Sequence, residues 1–314
     1  MKVLVCGAGV IGQIYGGRLA HGGHDVTLLV RGEAARSLAE HGVTLRKDDE
    51  SWRAHPRVVT AIPPGTTFDL ALVTVRRDQV DDLVPQLATL DAGQIVFLLN
   101  QVTDLEALRG TVGAQRALFG FPGVAGYRSA EATVSYMDVP QQKTTIERRD
   151  GRERRVVELL RTAGFPVATS DDMAGWLATH AVFITAVGSA ILAAGGDSAV
   201  LAADRARVAD LVAAVGEGFH ALSRQHITVT PTPLRLIFTV VPRFIAVRYW
   251  QKQLSGPIGT VAIAPHMRAT RGTELPVLRA EVRHLVAGHG PTPHLDLLLD
   301  DRHGPHPETH LTDP

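Results

Sequence analysis

The chain has 314 residues, enough for two domains of ordinary size with a core in each. Lys plus Arg (32) equal Asp plus Glu (32), so no strong field of either sign is expected, and neither nucleic acid nor an anionic membrane is expected as the main partner. One cysteine, Cys6, lies inside an apolar run and cannot form an intramolecular disulfide, which fits a reducing, cytoplasmic setting.

The N-terminal MKVLVCGAGVIG places a lysine before an apolar run, as a signal peptide does. Its glycines and its lack of a cleavage-like sequence predict a strand and a turn instead. KVLVCGA reads as a strand, IGQIYGGRLAHGG as a helix, DVTLLV as a strand and GEAARSLAEHG as a helix. Strands at LALVTVR and QIVFLLN flank the helical RDQVDDLVPQLATL. This alternation predicts an α/β architecture, a doubly wound parallel sheet of Rossmann type. RALFGFPGVAGYR and KTTIERRD read as later strands, the second near an edge.

From about Val156 the pattern becomes helical: RRVVELLRTAGF is amphipathic, and SDDMAGWLATHAVFITAVGSAILAAGG is long and apolar. ADRARVADLVAAVGEGFHALSRQ has apolar residues at helical spacing. Ser170 is the expected N-cap of the long helix, and Gly195 with Gly196 its expected stop. These changes place a domain boundary near residue 168, giving a nucleotide-binding domain over 1–168 and an all-helical domain over 169–314 for substrate and dimerisation. The apolar LRLIFTVVPRFIAVRYW is broken by Pro242, Arg243 and Arg248 and falls short of the roughly 20 clean apolar residues of a bilayer span. It predicts a buried helix or pocket wall. After Gly288 the chain turns to His, Pro and Asp, which reads as a frayed tail, with no metal site, because the histidines lack ligand spacing on a regular element.

The strongest motif is VLVCGAGVIGQIYGG, where Gly7, Gly9 and Gly12 form G-x-G-x-x-G between an apolar strand and a helix. Gly7 permits the tight turn, Gly9 lets backbone approach a pyrophosphate, and Gly12 lets helix and strand pack closely. With Ala8, Val10 and Ile11 they form the expected cofactor cradle at a helix N-terminus. At the end of the second strand, where NAD-binding proteins carry a carboxylate, stand Val30 and Arg31. A guanidinium suits a 2′-phosphate, so NADP(H) is the expected cofactor.

With GAGVIG, LLVR, LALVTVRRDQV and VFLLNQVTDLEAL in place, the sequence resembles the ketopantoate reductase (2-dehydropantoate 2-reductase) family over most of residues 1–195. The resemblance implies a Rossmann domain followed by a helical domain and NADPH-dependent reduction of a 2-keto acid. It implies a cofactor contact by Arg76, where the family has Lys, and a role for Asn100 toward cofactor and substrate. It also implies a close approach of backbone to cofactor around Gly126. Three family positions of the helical domain are changed: aligned on Trp176, the catalytic Lys falls on Ala178 and an Asn on Val182. A later Glu falls on Gly256, beside a retained Ser255.

A reduced ketone builds negative charge on oxygen, which an acid or cation must meet. His180 is the ionisable group nearest to Ala178, about 200° away around an ideal helix. Two readings stand: a general acid of near-neutral pKa, or a buried neutral imidazole bonded to a neighbour. Thr179 could assist through its hydroxyl, and Arg243, with Arg235 and Arg248 nearby, could clamp a substrate carboxylate. The expected function is NADPH-dependent reduction of a carbonyl compound, with a small-molecule substrate and a homodimer through the helical domain. The alternatives are an imine- or opine-type reductase on the same scaffold and a non-catalytic NADP(H)-binding protein.

Overall fold

The structure, a computed structural model, describes residues 1–102, 105–129 and 132–300. The chain divides into two compact units, Met1–Ala178 and Thr179–Pro314.

The first unit opens with β1 (Lys2–Cys6), α1 (Val10–His21), β2 (Asp25–Leu29), α2 (Glu33–His41), β3 (Val43–Lys47), β4 (Glu50–Ala54), β5 (Arg57–Val59) and β6 (Phe68–Val73). It continues through α3 (Val80–Thr89), β7 (Ala92–Leu98), α4 (Leu105–Val112), β8 (Ala117–Phe121), β9 (Val124–Arg128), β10 (Val134–Asp138), β11 (Thr144–Glu147), α5 (Arg154–Thr162) and β12 (Val167–Ser170). The main sheet runs β12-β11-β8-β7-β6-β1-β2-β5. Its stretch from β5 to β8 is parallel and has the doubly wound Rossmann order, with the switch point between β1 and β6. The sheet as a whole is mixed. β11 re-enters beside the end of β8, with Thr145 opposite Phe121, and therefore runs antiparallel to it.

A second sheet, β4-β3-β10-β9, has no counterpart in the sequence reading. The β3–β4 hairpin turns through Asp48 at φ 52°. This sheet covers α1 on the side away from the main sheet, so α1 is pressed between two layers. A Cβ at Gly16 would lie 2.6 Å from the Leu28 side chain of β2, and one at Gly17 would lie 2.9 Å from Leu45 of β3. Arg18 of α1 bonds Asp138 at 3.1 Å and the Ala163 carbonyl at 3.2 Å. Cys6 is fully buried in β1, and burial pushes its thiol up to about 12, as expected of a core residue rather than a nucleophile.

α6 (Met173–Ala193) starts in the first unit and continues into the second. Its N-cap is Asp172, whose carboxylate accepts from the Gly175 amide at 2.8 Å, and not Ser170, which ends β12. Met173, Trp176 and Leu177 join the first unit's core, with the Trp176 ring 5.1 Å from Phe121. The helix ends at Gly195 and Gly196, both at positive φ. It is long and apolar enough to cross a membrane, with a mean hydropathy of 1.7, yet 83% of that stretch is buried inside the protein.

The second unit adds α7 (Ser198–Ala203), α8 (Arg205–Arg224), α9 (Thr232–Thr239), α10 (Arg243–Ser255), α11 (Ala264–Thr270), α12 (Glu274–Val286) and α13 (Pro293–Leu299). A π-helical segment at Ile258–Ile263 precedes α11. α13 corrects the expectation of a frayed tail after residue 288. Leu295 and Leu299 are fully buried, and the Glu217 carboxylate of α8 accepts from the His294 and Leu295 amides and pairs with the His294 ring at 2.6 Å. Residues 301–314 of that expected tail lie outside the described residues.

A buried ion pair ties α4 to the far side of the main sheet. Arg109 of α4, 2% exposed, grips Glu147 of β11 through two bonds of 2.8 and 3.3 Å and also donates to the Ala117 carbonyl. Glu147 in turn accepts from the Phe119 amide at 3.2 Å. Arg109 also reaches the exposed Glu106 carboxylate at 3.1 Å, so Glu147→Ala removes its buried carboxylate partner but not its last one, and is expected to cost about 1.5–3 kcal/mol in chemical denaturation. A loss below about 1 kcal/mol, the range of an exposed pair, would show that the pair is not buried in solution.

Candidate functional site in the nucleotide-binding unit

The four apolar residues Val3, Leu4, Val5 and Cys6 drive β1 through the centre of the sheet, and all are fully buried. The chain then turns at Gly7, where φ is 102° and a Cβ would lie 2.9 Å from Val75. At Gly12 a Cβ would lie 1.9 Å from the Gly7 carbonyl oxygen and 2.7 Å from the Thr74 hydroxyl. Nothing lies within 4 Å of a Cβ built on Gly9. The three glycines thus divide the work: Gly7 makes the turn, Gly12 permits close packing, and Gly9 leaves an open face at the start of α1.

The loop is held from neighbouring strands. The Gly7 amide donates to the Leu29 carbonyl at 3.1 Å, and the Thr74 hydroxyl reaches the carbonyls of Cys6 and Gly7, each at 3.1 Å. The Ala8 carbonyl accepts from Gln13 at 2.8 Å and from Arg128 at 3.1 Å. The sequence reading missed Thr74, Gln13 and Arg128. A hydroxyl at the carboxyl end of an apolar strand was the available signal for Thr74. Arg128 is brought in by the second sheet and left no signal.

Because β1, β2, β6 and β7 are parallel, the residues that follow them lie at one edge of the sheet. The structure therefore gathers the Gly7–Gly12 loop, Arg31, Arg76 and Asn100 at the carboxyl edge, where open α/β sheets bind ligands. Val30 is buried and bonded through its amide to the Val59 carbonyl at 2.9 Å, while Arg31 projects into solvent. Arg76 forks onto the Asp78 carboxylate at 3.0 and 3.2 Å, so a phosphate must compete with Asp78 for it. Gly126 lies elsewhere, in β9 of the second sheet. Its Cβ direction is filled by β10, 2.3 Å from the Ser135 carbonyl oxygen, so strand pairing is enough to require glycine there.

The remaining candidates belong to the helical unit. Thr179 is fully buried and its hydroxyl accepts from the Thr230 amide at 3.2 Å. Arg243 is exposed, donates to the Ala209 carbonyl at 2.9 Å and faces Asp210 at 3.7 Å. The first bond ties a loop to α6, and the second ties α10 to α8. Val182, at the family's Asn position, is fully buried, and a Cβ on Gly218 of α8 would meet it at 2.4 Å. A buried carboxylate does exist, not at Gly256 but at Glu274, which opens α12 and pairs with His266 at 3.4 Å.

His180 is buried on α6, with its ring 6.2 Å from Phe183 in edge contact. Burial first, and the His266 charge second, lower its pKa from the ordinary 6.5 to about 3. The expectation of a near-neutral acid is thereby corrected: at neutral pH the ring is uncharged, because a cation there would lose its hydration.

Fold and loop together define a Rossmann-type nucleotide-binding protein with a helical second unit. Residues 3–151 match the family described as ketopantoate reductase PanE/ApbA. A 2-dehydropantoate 2-reductase of Pyrococcus horikoshii is 24% identical over 184 residues, covering 56% of this chain and 58% of that protein. The chain therefore matches less than two thirds of that relative's length. A 2-dehydropantoate 2-reductase of Bacillus subtilis is 31% identical over 110 residues, 35% of this chain and 36% of that protein. Among solved structures, 2-dehydropantoate 2-reductase from Geobacter metallireducens superposes with a TM-score of 0.78 at 18% identity, covering 95% of this chain and 98% of that one. D-mandelate dehydrogenase with NADH and anilino(oxo)acetate gives 0.74 at 17% identity, covering 95% and 96%. At these identities the structures establish the fold.

Two outcomes follow from the loop and one from His180. Gly9→Ala should keep the melting temperature within experimental error while weakening dinucleotide binding in a fluorescence titration. Gly12→Ala should lower stability by about 1–3 kcal/mol, the usual range for overpacking. Equal stability losses for the two would contradict the division of roles. Below pH 6.5 the unfolded chain protonates His180 while the folded chain does not until about 3. Stability should therefore fall with falling pH in that window, by up to about 1.4 kcal/mol per unit, and be independent of this group above it. Urea denaturation across that range should be flatter for His180→Gln; an unchanged slope assigns the loss to other groups.

Proposed function

We propose that the protein is an NADPH-dependent oxidoreductase that reduces a carbonyl compound, with a 2-keto acid as the substrate class. The observation that carries this reading is the open face at Gly9 in a glycine loop at the sheet's switch point, inside the stretch that matches the ketopantoate reductase PanE/ApbA family. The relatives' activity toward 2-dehydropantoate and the keto-acid-like ligand of the D-mandelate dehydrogenase complex support the substrate class. The residues present fit a dinucleotide: the cradle Gly7–Gly12 offers backbone amides, Gly9 leaves room, and Arg31 is free to reach solvent-side phosphate. The exposed guanidinium beside a buried Val30, with no carboxylate at that position, favours NADPH over NADH.

The cofactor supplies the hydride chemistry, and the protein supplies binding, orientation and a hydrogen-bonded oxygen site. Asn100 positions cofactor and substrate from the end of β7, and Arg76 adds charge after releasing Asp78. His180 is assigned to the substrate oxygen as a neutral N–H donor, a role a ring of depressed pKa can fill without carrying charge. Thr179 and Arg243 do not enter the proposal. The proposal includes a cytoplasmic location, with which the buried, unpaired Cys6 thiol accords, and a homodimer through the helical unit.

The test is NADPH oxidation across a panel of 2-keto acids and imines, with binding measured in parallel. NADPH should bind more tightly than NADH, and Arg31→Ala should lose about 10- to 100-fold in NADPH affinity, the worth of one charge-assisted contact. His180→Gln should retain NADPH affinity and lose turnover. The turnover rate should show no limb near pH 6.5, since a neutral donor does not titrate there. A limb at that pH that disappears in His180→Gln would restore the charged acid. Tight NADPH binding without turnover on any substrate would identify a non-catalytic binding protein instead.

A further inference from the structure

Residues 218–273 contain seven arginines and lysines and no aspartate or glutamate, in a chain whose total charge is zero. The same segment holds five of the eight exposed large hydrophobic residues among those described: Leu236, Val240, Phe244, Ile245 and Tyr249. Val240 and Phe244 are 67% and 65% exposed. They lie on α9, on α10 and at the bend between them. The sequence predicted this stretch as a buried helix or pocket wall, and only part of it is. Pro242 breaks it into two helices, and Phe238, Ala246, Val247, Trp250 and Leu254 take the buried positions.

At 100° per residue, the outward arc of α10 spans about 140° and carries Phe244, Ile245, Arg248, Tyr249 and Lys252. Three apolar and two basic side chains share this face, and α10 itself adds no carboxylate, the near one being Asp210 of α8, 3.7 Å from Arg243. Large exposed apolar patches of this kind mark contact surfaces. We propose that the α9–α10 face docks on an anionic lipid bilayer surface, with Phe244, Ile245 and Val240 entering the headgroup boundary and Arg248 and Lys252 meeting lipid phosphates. The combination of bulky apolar groups with unopposed Arg and Lys is what interfacial helices require. A second copy is the weaker occupant of this face, so the homodimer proposed above uses another face of the helical unit. Two-fold pairing of this face on itself sets Arg and Lys against Arg and Lys, with no carboxylate in the segment to separate them. The zero net charge that argued against a membrane averages away this local surplus.

The experiment is flotation of the full chain with phosphatidylcholine vesicles, with and without phosphatidylglycerol, at low and high salt. Binding is expected only with the anionic lipid and should weaken with salt. Phe244→Ser with Ile245→Ser, and separately Lys252→Glu, should each reduce partitioning about tenfold or more. All three positions are exposed, so the melting temperature and NADPH affinity should not change. No flotation, equal flotation with neutral vesicles, or variants that partition like the parent would each overturn the proposal. So would light scattering that shows a dimer broken by the same substitutions, since a second copy would then cover the face.

Discussion

The close approach of α1 to β1 is the constraint on which the rest of the first unit depends. Gly12 must lie almost against the Gly7 carbonyl for the first turn of α1 to present its amides over the open side of Gly9. Holding a helix this tightly requires pressure from the other side, and the second sheet supplies it. Gly16 gives way to Leu28 on one face of α1, and Gly17 gives way to Leu45 on the other. Glycines inside a helix cost about 1 kcal/mol each relative to alanine, so their presence is explained only by packing that a side chain would block. The Tyr15 hydroxyl on Thr144 at 2.6 Å, and Arg18 shared between Asp138 and the Ala163 carbonyl, fix the rotation of α1 about its axis.

α6 imposes a second constraint, because one helix supplies core residues to both units. With Met173, Trp176 and Leu177 committed to the first core and Val182 pressed on Gly218, little of its surface is left for polar chemistry. Ala178 and Val182 are buried packing residues, and a lysine or an asparagine in their place would put a polar group where the surroundings are apolar. The same surroundings explain His180. Desolvation disfavours the imidazolium, so the ring stays neutral where a surface histidine would begin to charge.

Much of the fold was legible because its signals are local. Four consecutive buried apolar residues before Gly7, with β-branched runs at regular spacing, suffice for the strands β1, β2, β6, β7 and β8. The second sheet was not legible. β3 and β4 carry Thr44, Arg46, Lys47, Glu50, Ser51 and Arg53, polar residues whose strand pairing is determined by the Asp48 turn and by α1 rather than by alternation. The Arg109–Glu147 pair joins residues 38 positions apart, and no sequence window contains it. α13 was hidden by composition: Leu295 and Leu299 have helical spacing, but the histidines and prolines around them read as a tail.

The site shows the same limit in a different form. Glycine spacing carries its own geometry, so Gly7, Gly9 and Gly12 could be assigned separate roles from sequence. A side chain's charge state carries none, since His180 reads as a titratable group until its burial is known. Exposure is equally silent: Phe238 and Phe244 sit in one apolar run, and only the break at Pro242 decides that one faces the core and the other faces solvent. Net charge fails for a related reason. It sums over the molecule, whereas recognition is decided within about one Debye length, roughly 10 Å, of a surface. A chain with equal numbers of acids and bases can therefore carry a basic stretch wherever that stretch holds no carboxylate of its own, as along residues 218–273, even though Asp210 of α8 stands 3.7 Å from Arg243.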